Sequence, residues 1–166
     1  RCVFCATGQM RFKRHLSSGE IVEQVLYYAR QLKATAEVVT NVVVMGMGEP
    51  FHNYDNTLAA IDRLNHPEGL NLGARRFTIS TVGLVPMIRR FAAEERQVNL
   101  AISLHAVDDE MRSSLLPVNR KYPIAEVIDS CREYVSKTGR RVTFEWALIR
   151  DVNDTPAIAS KLAALL

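Results

Sequence analysis

No stretch of this chain approaches the roughly 20 consecutive apolar residues that a bilayer-crossing helix needs, and no basic-then-apolar leader opens it. The expected setting is a soluble, cytoplasmic protein. Cysteine is scarce. Cys2, Cys5 and Cys131 are too few and too unevenly placed to frame a disulfide-stapled fold in 166 residues, which points to a reducing compartment. Runs rich in proline, in glycine and serine, or in one sign of charge are too short to act as linkers, and no segment repeats. With 48% hydrophobic residues the chain can bury one sizeable core, so one domain or most of one is expected rather than two. A strong charge excess is absent as well. The net charge of +3 exerts little pull on a polyanion by itself.

What is present starts with clustered basic residues. Arg11, Lys13, Arg14 and His15 form one group, and Arg75 with Arg76, Arg89 with Arg90, Arg120 with Lys121, and Arg140 with Arg141 form pairs. Solvated helix ends and loops account for such groups as well as an RNA partner does. The ends are also informative. The chain opens one residue before a cysteine pair and closes inside an apolar helical pattern at Leu165 and Leu166, so it is expected to be truncated at both ends.

Periodicity alternates along the chain. Ile21, Val25, Tyr28 and Leu32 recur at helical spacing, and Ser17 or Ser18 can cap a helix over about Ser18 to Lys33. Val42, Val43 and Val44 predict a strand from Asn41 to Met45 covered on both faces, ending at the Gly46-Met47-Gly48 turn. A helix near Tyr54 to Leu64 precedes a strand at Arg76 to Thr81. A helix near Val85 to Glu94 precedes a strand at Val98 to Leu104. Ile124, Val127, Ile128, Cys131 and Val135 make one apolar helical stripe, Val142 to Ile149 is predicted as a strand, and a last helix starts near Thr155. Strands joined through helices imply right-handed βαβ units in a parallel sheet, and therefore an α/β fold. Periodicity alone leaves a doubly wound sheet and a full or partial barrel both open. Unusual polar residues follow the strands: Gly48 and Glu49, Ser80 and Thr81, Ser103 and His105. In parallel α/β folds that carboxyl edge binds ligands.

Cys2-Val3-Phe4-Cys5 lets one tight turn aim two sulfurs at a single metal or cluster. The spacing alone is equally that of half a zinc site, a redox pair, two of three cluster ligands, or two buried thiols. A zinc site in a non-catalytic RNA-binding module would call for further cysteines or histidines, and a redox pair for an upstream strand. Cys131 lies on the apolar stripe and is expected to be structural. Glu145 alternates with Phe144 and Trp146. If its face is a barrel interior, its carboxylate calls for a buried cation or a ligand.

The ordered motifs carry a resemblance. Cys2-Val3-Phe4-Cys5, with an aromatic before the second cysteine, is similar to the end of the C-x3-C-x-aromatic-C signature of radical-SAM enzymes, whose first cysteine would fall three residues before Arg1. Val44-Met45-Gly46-Met47-Gly48-Glu49-Pro50 resembles the GEP motif of that group. Ile79-Ser80-Thr81, Val85-Pro86, Leu100 to Ala106 and Leu116 to Tyr122 narrow the likeness to the RlmN/Cfr family of RNA adenine methyltransferases. The resemblance implies a partial (β/α) barrel of the radical-SAM type with parallel strands, an incomplete core domain over residues 1–166 without its N-terminal accessory domain and C-terminal segment. It implies Cys2 and Cys5 as ligands of a [4Fe-4S] cluster that leaves one iron open for S-adenosyl-L-methionine. Glu49 would take the cofactor's ammonium group, Gly48 would allow close backbone approach, and Ser80, Ser103, Leu104 and His105 would line the rest of the pocket.

By the same resemblance the activity is methylation of carbon 2 of adenine in 23S ribosomal RNA and transfer RNA, through a methylated cysteine outside this segment, with a reducing partner such as flavodoxin. The second catalytic cysteine, a cofactor-binding asparagine and an acidic base also fall outside. The segment by itself is therefore expected to be inactive. The alternatives are carbon 8 methylation of ribosomal RNA, or another radical-SAM enzyme acting on a small molecule or protein.

Overall fold

The computed structural model describes residues 2–166. A short helix α1 (Ala6–Gln9) leads to α2 (Ser18–Lys33), then β1 (Val42–Val44), α3 (Tyr54–Asn65), β2 (Phe77–Thr81), α4 (Val85–Ala93) and β3 (Asn99–Ser103). The chain continues through α5 (Asp109–Leu115), α6 (Ile124–Thr138), β4 (Val142–Glu145) and α7 (Pro156–Leu165). Local chemistry sets several boundaries. Ser17 and Glu20 exchange hydrogen bonds as a capping box at the start of α2. Gly139, left-handed at φ 64°, ends α6 by donating its amide to the Val135 carbonyl at 2.9 Å.

The four strands are parallel and lie in sequence order, β1-β2-β3-β4. The register fixes two faces: Val42, Val44, Phe77, Ile79, Leu100, Ile102, Val142 and Phe144 share one, and Val43, Thr78, Ser80, Asn99, Ala101, Ser103, Thr143 and Glu145 share the other. The apolar face meets Leu58, Ile61 and Leu64 of α3, Val85, Ile88 and Phe91 of α4, and Val127, Cys131 and Tyr134 of α6 in one buried cluster. Val22, Val25 and Leu26 of α2 pack against its margin. Helices thus cover one face, and the other presents small and polar side chains. A doubly wound sheet reverses its strand order and carries helices on both faces. The observed order and one-sided cover are those of a partial (β/α) barrel.

Several sequence expectations need correction. β1 is not covered on both faces: it is an edge strand, and Val43 on the inner face is 55% exposed. Tyr28 stands exposed, and Ile21, Val25 and Leu32 are only half-buried, because α2 lies at the rim of the core. On α6 the stripe continues from Cys131 to the buried Tyr134, leaving Val135 43% exposed; the packing follows the i+3 position where the apolar pattern pointed to i+4. The strand expected from Val142 to Ile149 stops at Glu145. Beyond it the Ala147 and Ile149 amides bond to His105 Nδ1 and Asn153 Oδ1, so side chains take the groups a ladder would use. Helix α5 and the 3-10 turns at Pro50–Asn53, Ala74–Arg76 and Pro117–Arg120 have no counterpart in the periodicity.

The core assignment is open to direct measurement. Phe91 is fully buried, stacked on Tyr134 at 5.9 Å and tilted against Phe51 at 5.8 Å. Phe91→Ala is expected to cost about 3–5 kcal/mol in denaturant unfolding, whereas Val135→Ser should stay within about 0.5 kcal/mol of the parent.

Candidate functional site

The carboxyl ends of β1, β2 and β3 are tied together by side chains. After β1 the chain turns through Gly46 (φ 125°) and Gly48 (φ 104°), conformations that a side chain disfavours. No atom lies within 4 Å of a Cβ built at Gly48, so its requirement is conformational and the space beside it is open. Glu49 then reaches across the edge. Its Oε1 accepts the Phe51 amide at 3.0 Å, capping the Pro50–Asn53 turn, and its Oε2 accepts the Val82 amide at 2.9 Å, just past β2. Burial pushes the Glu49 carboxyl above the usual range, opposed by those amides and the Thr81 hydroxyl.

Ser80 and Ser103 face each other on adjacent strands, Oγ to Oγ 3.4 Å, on the inner face. Leu104 turns its side chain into a second buried cluster with Ile124 and Ile128, so it meets the edge with its backbone alone. His105 is buried and left-handed at φ 60°. Its Nδ1 accepts the Ala147 amide at 3.0 Å, which places the ring proton on Nε2, and Asn153 Nδ2 donates to its carbonyl at 2.9 Å. Burial, helped by the neighbouring Arg112, lowers its pKa to about 4, so the ring is neutral near pH 7.

The cysteine loop docks on this edge. Cys5 donates its amide to the Cys2 carbonyl at 3.3 Å, closing a tight turn, and both cysteines are free, partly exposed residues. The Val3 amide donates to the Leu115 carbonyl at the end of α5 at 3.0 Å. The Phe4 ring meets His105 edge-on at 5.1 Å. The Gly8 amide above all, with the Thr7 amide and hydroxyl, lowers the Cys5 pKa. Burial raises that of Cys2, and the Glu49 charge is near enough to add to the rise. Two thiols on one turn, one of them favoured as thiolate, fit two ligands of an iron-sulfur group. Among the described residues no third His, Cys, Asp or Glu converges with them. Cys131, as expected, is a core residue, 4% exposed with its thiol pushed up to about 12 by burial.

Three polar residues at this edge escaped the sequence reading. Arg112, fully buried, donates to the carbonyls of Val82 (2.8 Å), Ser103 (3.1 Å) and Leu104 (3.1 Å) and to Asn119 Oδ1 (2.9 Å). Burial lowers its pKa to about 10, which leaves it charged. Asn119 passes the network to Asp109, whose Oδ1 also accepts the Ile124 amide. Asn153, 1% exposed, joins His105 to the Ala147–Ile149 segment. Asn119 lies within the Leu116 to Tyr122 motif but has no role assigned there, and the only signal for Arg112 and Asn153 is side-chain type in unremarkable helix and loop sequence. Glu145 is half-buried on the inner face beside Ser103, and no cation pairs with it among the described residues. Three of the clustered arginines are paired with carboxylates: Arg14 with Glu20, Arg89 with Glu133 and Arg90 with Asp55. Arg75 and Arg140 converge on Gln97 Oε1 instead.

The sequence profile of the Radical SAM superfamily matches residues 1–160. The chain belongs to the radical SAM superfamily. It is 54% identical over 170 residues to the "Probable dual-specificity RNA methyltransferase RlmN" of Chloroflexus aurantiacus, covering 99% of this chain and 45% of that protein. It is 53% identical over 165 residues to the "Dual-specificity RNA methyltransferase RlmN 1" of Myxococcus xanthus, covering 99% and 46%. The crystal structure of a radical SAM methyltransferase from Sphaerobacter thermophilus superposes with a TM-score of 0.96 at 56% identity, over 99% of this chain and 48% of that one. The resemblance carried by the motifs is therefore borne out, and the chain spans about half the length of the curated relatives it matches. No helix of the described residues is long and apolar enough to cross a membrane.

In this radical SAM chain the neutral His105 has a measurable consequence. The unfolded imidazole takes a proton as pH falls through its ordinary 6.5, but the folded ring resists until about 4. Stability due to His105 is thus complete above about pH 6.5 and declines toward pH 4, by at most about 1.4 kcal/mol per pH unit. Thermal unfolding of the metal-free protein between pH 7 and 4.5 should show this slope. His105→Asn, which tolerates the left-handed backbone and can accept the Ala147 amide, should flatten it.

Proposed function

We propose that the protein is a radical-SAM RNA methyltransferase that methylates carbon 2 of adenine in 23S ribosomal RNA and transfer RNA, in the cytoplasm. The observation that carries this reading is the docking of the Cys2–Cys5 loop onto the same strand edge that holds Glu49. This occurs in a chain about half identical, along its whole length, to proteins named as RNA methyltransferases.

Cys2 and Cys5 would supply two of the three thiolates that hold a [4Fe-4S] cluster. When bound, that cluster supplies the electron that breaks a sulfonium bond of S-adenosyl-L-methionine; a one-electron donor of the flavodoxin class would feed it. Each Glu49 oxygen accepts one protein amide and keeps a lone pair for the cofactor's ammonium group. The amides fix the carboxylate before the ligand arrives, so little ordering cost falls on binding. Ser80 and Ser103 offer rotatable hydroxyls, and His105 offers its Nε2 proton. Ala101, paired with Ser80 across the strands, keeps the side chains of the inner face short there. Gly48 leaves the backbone approachable where Glu49 enters. Leu104 contributes its position in the Ser103–His105 turn. The methyl-carrying cysteine belongs to a part of the protein outside residues 1–166, since Cys131 is sealed in the core.

Anaerobic iron and sulfide reconstitution of the full-length protein should produce a broad visible absorption band and reductive cleavage of S-adenosyl-L-methionine. Cys5→Ala should abolish both. Glu49→Gln should keep the band and slow cleavage at fixed cofactor by about 10-fold or more, the effect of weakening one charge-assisted hydrogen bond. Mass spectrometry of RNA from a deletion strain should show loss of 2-methyladenosine. Loss of 8-methyladenosine instead would move the reading to carbon 8, and an unchanged content of both would overturn it.

A further inference from the structure

Arg112 is a buried cation that makes no direct ion pair among the described residues. It has no exposed surface, and its four hydrogen bonds all go to neutral oxygens. It belongs to none of the ion pairs found among the described residues. The Asp109 carboxylate supports the charged guanidinium only at one remove, across Asn119, and takes its own hydrogen bonds from the Asn119 side chain and the Ile124 amide. Buried charges are ordinarily paired, because removing an ion from water costs several kcal/mol.

Placement points to a second negative charge that Arg112 can face directly. Three of the four acceptors are the carbonyls of Val82, Ser103 and Leu104, which end β2 and β3 at the candidate site. The helix that carries Arg112 also receives the cysteine loop, through the Val3 amide on the Leu115 carbonyl. The guanidinium therefore lies behind the strand edge, on the element against which Cys2 and Cys5 dock.

We propose that Arg112 is the fixed counter-charge of the iron-sulfur group held at the Cys2–Cys5 loop and raises its reduction potential. The inference rests on the cluster assignment above. A cluster bound by three thiolates is anionic, and accepting one electron from a one-electron donor adds one more negative charge while no bond forms or breaks. A cation that cannot move away or be screened by water favours the reduced state. The hydrogen bonds to strand-end carbonyls hold the charge in place, so the guanidinium itself need not move on electron transfer.

The test is an anaerobic redox titration of the reconstituted full-length protein, followed by electron paramagnetic resonance of the reduced cluster, with iron and sulfide per chain measured for every variant. Arg112→Gln should make the reduction equilibrium at least about 10-fold less favourable, a midpoint about 59 mV more negative. Arg112→Lys, which keeps the charge and loses the fork, should stay near the parent. An unchanged midpoint in a folded, fully loaded Arg112→Gln overturns the proposal. So does an Arg112→Lys midpoint shifted as far as that of Arg112→Gln, or failure of both Arg112 variants to fold, since either result makes the residue a brace for the strand ends. Failure of the parent protein to take up iron refutes the cluster assignment instead.

Discussion

Phe77, Ile79, Leu100 and Ile102, all fully buried, bind the sheet to helices on one side only, and that one-sidedness decides where the chemistry can be placed. Parallel strands in sequence order, each followed by a helix on the same side, curve with their apolar face outward. The inner face is left to short side chains such as Ser80, Ala101 and Ser103. A large apolar residue there would fill the space that a ligand needs. The same arrangement gathers the carboxyl ends of β1, β2 and β3 along one rim.

That rim is organised by polar side chains that reach between strands. The Glu49 carboxylate joins the turn after β1 to the amide after β2. The Arg112 guanidinium joins the carbonyls after β2 to those ending β3. Asn153 joins the segment after β4 to His105. Each bridge replaces ladder bonds that end where the strands stop, and each uses a buried polar group whose loss would leave backbone partners unsatisfied. The cysteine loop then needs only a few contacts, Val3 on Leu115 and Phe4 on His105, to be set against an edge that is already rigid.

The strands were legible because β-branched and apolar runs such as Val42–Val44 and Phe77–Thr81 are short and bounded by glycine and polar residues. Their ends were less so. Val142–Ile149 has the composition of one long strand, and only the distant Asn153 and His105 explain why pairing stops at Glu145. Val135 and Tyr134 are both apolar enough for the α6 stripe, and the turn of the helix against α4 chose Tyr134. Glu49, Ser80, Ser103 and His105 could be singled out because polar residues at strand ends are unusual. Arg112 could not, since an arginine in a short helix ordinarily faces water.

Sequence by itself determined the α/β class, the family likeness carried by its ordered motifs, and the structural role of Cys131, because these depend on local periodicity and residue type. Tertiary structure alone decided that the helices packed on the sheet cover one face, that Val43 is open, and that Cys2, Glu49 and Arg112 share one edge. Those facts depend on strand register and on contacts between residues tens of positions apart, for which no local pattern in the chain is a record.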